Sequence, residues 1–89
     1  MRDIVFSRLA LNDRVGMPKA RAADIGLRLA ALANNERANL DIRPLQGHKP
    51  WQRLRVGDYR VVFREINDRI EVARPVSRQE LGAAVRKLS

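Results

Sequence analysis

Apolar and polar residues alternate between residues 52 and 64, and this alternation is the clearest pattern in the chain. It predicts two strands joined by a tight turn at Gly57-Asp58. Side chains along a strand point alternately to its two faces. One face is therefore apolar and belongs to the core, formed by Leu54, Val56, Tyr59, Val61 and Phe63. The opposite face carries four arginines, Arg53, Arg55, Arg60 and Arg64.

The N-terminal half has a different periodicity. Residues 3–6 form a short apolar run that predicts a first strand, and Ser7 is suited to cap a helix that ends near Gly16. Pro18 suits the first turn of a second helix, which should end at Asn34-Asn35. An apolar stripe at steps of three and four residues marks that helix, namely Ala22, Ile25, Leu29 and Leu32.

The C-terminal half predicts more strands and a last helix. Residues 36–50 contain Pro44, Gly47 and Pro50 and are expected to be irregular, with apolar side chains that hold them to the core, Leu40, Ile42 and Leu45. Strands follow at about 51–56, 59–66 and 69–76, with a second turn at Asn67-Asp68. The run from Ser77 to Glu80 resembles a capping box that opens a C-terminal helix with Leu81, Val85 and Leu88 on its apolar stripe.

Composition limits the function classes. The 89 residues suffice for one domain, 1–89, and carry a formal charge of +8, which predicts attraction to polyanions such as nucleic acid. Cysteine is absent, which excludes disulfides and thiolate chemistry. No apolar run approaches the roughly 20 residues that span a bilayer, and no signal-peptide pattern is present. We therefore expect a cytoplasmic protein that does not bind membranes.

The four arginines of the hairpin are not equivalent. Like charges opposite each other across strands are destabilising, so a shared arginine face suggests an anionic partner, and guanidinium groups suit phosphate. Arg64 can pair with Glu71 across the second hairpin, which favours a structural role. Arg74 falls on the core side of its strand unless a bulge shifts the register, and a surface position at the strand end is then its expected place.

The chain resembles the RelE/ParE superfamily, the toxins of bacterial type II toxin–antitoxin systems. The resemblance rests on the run Trp51 to Phe63, on Ile-Val-Phe-Ser at residues 4–7, on Leu-Gln-Gly at 45–47 and on Val-Ser-Arg-Gln-Glu at 76–80. It implies a small α+β fold of order β-α-α-β-β-β-α. The expected sheet has about four strands and is rich in antiparallel pairs. Two N-terminal helices and one C-terminal helix accompany it, and a basic face stays open.

The resemblance implies several functions. A RelE-like toxin is a ribosome-dependent endoribonuclease that cleaves mRNA without a metal or cofactor and so inhibits translation. A ParE-like toxin poisons DNA gyrase and cuts no RNA. A degenerate toxin would only bind its antitoxin. In each case a cognate antitoxin protein is the expected partner.

The family's site residues map onto this chain one by one. Arg60 matches the arginine that stabilises the phosphate, Arg53 a basic position on the first hairpin strand, and Arg78 the arginine after the last strand. We predict these three as catalytic. The predicted RNA- or phosphate-binding residues are Arg55, Trp51, Lys49 and His48. Trp51 either stacks on a base or covers the rim of the sheet.

One departure from the family concerns proton transfer. RelE-like nucleases often carry Tyr or His near the start of the last helix, where this chain has Gly82, and arginine is a poor general base. The remaining candidates are His48, Glu80 and Asp58. His48 is also readily explained as a histidine of a surface loop.

Overall fold

The computed structural model describes residues 2–8, 10 and 17–77, and for residues 74–77 it describes the backbone alone. Five strands form one sheet: β1 (Asp3–Phe6), β2 (Asp41–Pro44), β3 (Gln52–Val56), β4 (Tyr59–Ile66) and β5 (Arg69–Ser77). Helix α1 (Lys19–Ala33) lies between β1 and β2 in the sequence. The strand order across the sheet is β1-β5-β4-β3-β2, so β1 and β2 are the two edges.

The predicted architecture was wrong. The sheet has five strands rather than about four, and it is mixed, because β1 runs parallel to β5 while the other pairs are antiparallel. The described residues give the order β-α-β-β-β-β, with α1 as the one complete helix. Most of the predicted first helix, and the whole predicted C-terminal helix, fall on residues outside the described ones.

The missed strand is β2, within a segment that was expected to be irregular. Pro44 lacks a backbone N–H, which predicts a break in a strand, yet proline is tolerated at an edge strand. β2 is an edge strand, and Pro44 is its last residue, opposite Gln52. Leu40, Ile42 and Leu45 do hold this segment to the core, as predicted.

The core lies between α1 and one face of the sheet. The predicted stripe of α1 packs there, with Ile25, Leu29 and Leu32 buried. The sheet contributes the buried side chains Leu54, Val56, Val61, Phe63, Ile70 and Val72. Burying a side chain of this size contributes about 1.5–3 kcal/mol. Because α1 and its apolar stripe cover this face, the functional groups of the hairpin are left on the other one.

A carboxylate joins the end of α1 to the sheet. Glu65 Oε1 accepts hydrogen bonds from Arg2 Nη1 at 3.0 Å and from Arg37 Nη1 at 2.7 Å, and its Oε2 accepts from Gln52 Nε2 at 3.3 Å. Arg2 also donates from Nη2 to the carbonyl of Leu32 at 2.7 Å. Burial alone raises the pKa of Glu65, but the hydrogen bonds from Arg2 and Gln52 and the charge of Arg37 bring that pKa below its ordinary value.

Candidate nucleic-acid interface

The β3–β4 hairpin has the predicted register. Val56 pairs with Tyr59 across the turn, and Gln52 pairs with Phe63 at the far end. Gly57 has φ +58°, as the first position of a tight hairpin turn requires. A Cβ at Gly57 would lie 2.7 Å from Nη1 of Arg21 on α1. The turn therefore needs glycine for its backbone conformation, whereas the Arg21 guanidinium ends a flexible side chain that can move aside.

The register arranges the basic residues in rows that run across the strands. Asp41, Arg55 and Arg60 form the first row, next to the turn. The second row holds Arg43, Arg53 and Val62. We call the surface made by these two rows and Arg64 the arginine face, whose basic members are Arg43, Arg53, Arg55, Arg60 and Arg64.

Arg64 is neutralised, as the sequence predicted. Its Nε donates to Oε1 of Glu71 at 2.6 Å, and Oε2 of Glu71 accepts from Nε of Arg69 at 3.0 Å. The hydrogen bond from Arg64 is the main reason that the pKa of Glu71 lies below its ordinary value. The Arg64 guanidinium also lies 4.8 Å from the centroid of the Trp51 ring, a cation–π contact. Trp51 therefore contacts the arginine face through Arg64.

Arg53 is held by a carboxylate that the sequence did not single out. Its Nη1 lies 3.4 Å from Oδ1 of Asp41, and Nε of Arg43 lies 4.0 Å from the same oxygen. The Arg53 side chain is only 17% exposed. The described residues give its buried Nη1 an ion-pair contact but no hydrogen-bond acceptor, so this nitrogen can donate to a further oxygen atom.

Arg55 and Arg60 stand directly opposite each other in the first row. Nη1 of Arg60 donates to the carbonyls of Gly57 and Tyr59, both at 3.2 Å, which holds its side chain at the turn. Arg55 is exposed, and no carboxylate of the described residues lies within ion-pair distance of it. Guanidinium groups set opposite each other repel, so an anion bound in this row would stabilise the surface.

A bulge changes the position of Arg74. The β4–β5 register pairs Phe63 with Val72 but Val62 with Arg74, so Ala73 is the extra residue. The backbone of Arg74 is thereby paired with Val62 rather than with Val61. Ser7 holds the bulge, because its hydroxyl donates to the carbonyl of Ala73 and its own N–H donates to the carbonyl of Val72 at 3.0 Å.

Ser7 also caps the chain segment that follows it. The amide of Ala10 donates to Ser7 Oγ at 3.1 Å, which is the cap interaction that the sequence predicted. One serine therefore joins β1, the bulge in β5 and the start of the next segment.

The structure does not bring all the predicted site residues together. His48, Lys49 and Trp51 lie in the loop before β3, where His48 N–H donates to the carbonyl of Leu45 and Trp51 N–H to that of His48. Arg60 is paired with Arg55. Arg55 lies four residues after Trp51, so roughly 13 Å along the strand direction separates Trp51 from this pair. Arg53 and Arg55 lie near Arg60 in the register, whereas Arg78 and Glu80 fall outside the described residues.

Asp41 is the polar residue that the sequence reading missed. It shares the first row with Arg55 and Arg60, although it lies on the strand that was expected to be irregular. A signal was present, because Leu40, Asp41, Ile42 and Arg43 alternate apolar and polar residues with the period of a strand. Pro44, Gly47 and Pro50 follow closely, and these residue types predict an irregular segment instead of a strand.

Two further results concern other site classes. Within the described ranges there is no group of three or more His, Cys, Asp or Glu side chains placed to hold a metal ion. None of the helical residues in these ranges forms a stretch long and apolar enough to cross a membrane.

Comparison with known proteins gives matches to solved structures. No family model and no curated protein matches the chain. RelE in a RelB–RelE antitoxin–toxin complex from Methanococcus jannaschii matches with a TM-score of 0.77 and 23% identity, over 89% of this chain and 95% of that one. A mutant of Escherichia coli toxin RelE in the free state matches with a TM-score of 0.75 and 17% identity, over 97% and 95%.

A third relative is in the YoeB–YefM complex from Staphylococcus aureus, with a TM-score of 0.71 and 18% identity over 84% of this chain and 94% of that one. The matched structures are nearly fully covered, so the similarity concerns the whole domain. These identities establish the fold and leave activity to be argued from the site. The chain has the fold of the RelE-like toxins.

Proposed function

We propose that this protein is a RelE-like toxin of a type II toxin–antitoxin system that cleaves mRNA on the ribosome. The fold supports the class of protein, and the arginine face supports the class of ligand. The observation that carries the proposal is the first row, where Arg55 and Arg60 stand directly opposite each other and Arg55 is exposed without a carboxylate partner among the described residues.

The chemistry required is phosphoryl transfer within RNA. The 2′-hydroxyl attacks the adjacent phosphorus, and negative charge grows on the phosphate oxygens in the transition state. Preorganised cations placed against those oxygens lower the barrier, and losing one such group typically costs about 10²–10³-fold in rate. Arg60 is held at the turn by two carbonyls, so its position is set before RNA arrives.

Arg53 adds a second, more buried contact. Its Nη1 is buried and lacks a hydrogen-bond acceptor among the described residues. A phosphate oxygen would supply that acceptor and would satisfy the donor. Arg53, Arg55 and Arg60 therefore form a cradle for a single sugar–phosphate unit, and Arg78 remains a predicted member.

The proposal includes a partner and a compartment. Two of the similar structures are toxin–antitoxin complexes, RelB–RelE from Methanococcus jannaschii and RelBE2 from Mycobacterium tuberculosis. We infer that this chain also has a cognate antitoxin, whose acidic residues would neutralise the +8 charge. Action on translating ribosomes places the protein in the cytoplasm.

Induction in bacterial cells without an antitoxin tests the proposal. New mRNA 5′ ends within translated codons are expected, and Arg60→Ala should abolish both these ends and the growth arrest. Arg28→Ala is a charge-matched control, because Arg28 pairs with Asp24 on α1 at 3.5 Å and lies away from the arginine face.

Two results would contradict the proposal. Growth arrest with intact mRNA and trapped gyrase–DNA complexes would identify a gyrase poison instead. Expression without any effect on growth or on mRNA would leave a protein that only binds its antitoxin.

A further inference from the structure

We propose that Asp41 is the proton acceptor in RNA cleavage, a role that rests on the proposed function. Arginine is protonated at any ordinary pH and cannot accept the proton of the 2′-hydroxyl. A base is therefore needed beside the phosphate cradle. Asp41 lies in the same cross-strand row as Arg55 and Arg60.

The strand pairing places Asp41 beside the phosphate cradle of Arg53, Arg55 and Arg60. Asp41 is directly opposite Arg55, which separates their Cβ atoms by about 4.5–5.5 Å. Arg60 is one strand further on, so about 10 Å separates the backbones of Asp41 and Arg60. A sugar–phosphate unit bound between them would have its phosphate toward Arg60 and its ribose toward Asp41.

Asp41 is also accessible. Its side chain is 43% exposed, and β2 is the edge of the sheet, so RNA can approach without displacing another strand. The charged groups that face it are Arg43 on its own strand, Arg53 and Arg55 on β3, and Arg60 beyond them. Among the described cationic groups, Arg53 alone lies closer than 4.0 Å to its Oδ1, which leaves lone pairs for a hydroxyl donor.

Other described groups are worse placed. Glu71 is engaged by Arg64 and Arg69 and lies in the row beside Trp51. His48 lies in the loop at the opposite end of β3 from the turn. Asp58 is part of the turn itself, beyond the first row.

The proton balance of the step is simple. The 2′-oxygen forms a bond to phosphorus as its proton moves to a carboxylate oxygen of Asp41, and the bond from phosphorus to the 5′-oxygen breaks. The products are a 2′,3′-cyclic phosphate and a 5′-hydroxyl, whose oxygen takes its proton from water. Asp41 then returns its proton to solvent.

The test is the single-turnover cleavage of mRNA on purified ribosomes by Asp41→Asn, Asp41→Glu and the parent protein. We expect Asp41→Asn to lower the rate about 10²-fold or more, since general bases contribute about 10²–10⁴-fold. Asp41→Glu should retain most activity. Asp24→Asn, which removes a carboxylate on α1, is the matched control.

The dependence of rate on pH separates a base from a residue that only holds Arg53. When the Asp41 carboxylate is removed, hydroxide from solvent must accept the proton of the 2′-hydroxyl. The cleavage rate of Asp41→Asn should therefore rise by up to about tenfold per pH unit above neutrality, while the cleavage rate of the parent protein stays constant. Binding to ribosomes programmed with a 2′-deoxy codon should be unchanged by Asp41→Asn within a few-fold.

The same assay in an Arg53→Ala background completes the design. Asp41→Asn should still lower the rate there if Asp41 accepts the proton. No further loss in that background, together with an unchanged pH profile, would overturn the inference in favour of a positioning role. A parent protein that cuts no mRNA would instead contradict the proposed function, so the two failures are distinguishable.

Discussion

Nε of Arg64 donates a 2.6 Å hydrogen bond to Oε1 of Glu71, its direct partner across the β4–β5 ladder. This pair divides the basic surface into two parts. The row at Arg64 is neutralised by Glu71 and contacts Trp51, whereas the row at Arg55 and Arg60 next to the turn has an exposed guanidinium. The position of the uncompensated positive charge on this surface therefore depends on which arginines have acidic neighbours.

The salt dependence of RNA binding should report this division. Each phosphate contact contributes about 0.7 to the slope of log K against log salt for a single strand. We expect Arg55→Ala to reduce that slope by about 0.7, and Arg64→Ala to change it by much less, because Glu71 already neutralises Arg64. Fluorescence anisotropy with a short single-stranded RNA across a salt series measures both. Equal slopes for the two variants would refute the division.

Glu65 should make the fold sensitive to acid. Its pKa is lowered in the folded state, so its contribution to stability is present above the ordinary pKa of 4.5 and is lost as pH falls through the lower folded value. Glu65→Gln should cost about 1–3 kcal/mol at pH 7, because hydrogen bonds between Glu65 and two arginines lose their charge.

Urea unfolding of the parent and of Glu65→Gln at pH 7 and below pH 4.5 measures this effect. The difference between the two proteins should shrink in acid. Asp24→Asn is the control, since its partner Arg28 is an exposed neighbour on α1 and such pairs contribute little. A difference that stays constant with pH would show that the Glu65 charge is not the cause.

Ser7 should be required for the bulge at Ala73. Ser7→Ala removes the hydroxyl that donates to the Ala73 carbonyl and accepts from the Ala10 amide, and the loss of a cap costs about 1 kcal/mol. Ser7→Thr keeps the hydroxyl and should restore most of the stability. Amide hydrogen exchange at Ala73 and Arg74 checks whether the bulge loosens, and unchanged exchange in Ser7→Ala would argue against this role.

Gly57→Ala should destabilise the hairpin through its backbone conformation. A residue with a Cβ is strained at φ +58°, which costs about 1–2 kcal/mol. The added Cβ also meets Nη1 of Arg21 at 2.7 Å, but this guanidinium ends a flexible side chain and can move aside. Thermal unfolding should therefore show little recovery when Gly57→Ala is combined with Arg21→Ala, and full recovery would mean that strain at Gly57 is negligible.

The hairpin was predictable because its signals are local. The tight turn at Gly57-Asp58 determines the register of β3 and β4, and the register determines that Arg53, Arg55, Arg60 and Arg64 share a face. The pairing of Arg64 with Glu71 followed in the same way from the turn at Asn67-Asp68, where both residues adopt positive φ. The predictions of cross-strand pairing in these hairpins, which depend only on counting residues from a turn, were confirmed.

Predictions that needed distant parts of the chain were less successful. β2 forms a strand because it pairs with β3 at the edge of the sheet. β1 pairs in parallel with β5, a contact between the two ends of the described chain. The position of Asp41 and the bulge that moves Arg74 were therefore missed or left open. The roles of Arg60, Arg53, Arg55, Trp51, Lys49, His48 and Arg78 stay predictions.

The sequence by itself determined which residues of the hairpin point to the core and which form a basic face, because strand periodicity and turn chemistry act over a few residues. Tertiary structure alone decided the contacts that come from outside these two hairpins. It brought Asp41 to Arg53 and Arg55 and used Ser7 to hold the bulge in β5. These contacts join residues far apart in the chain, and only the pairing of the strands brings them together.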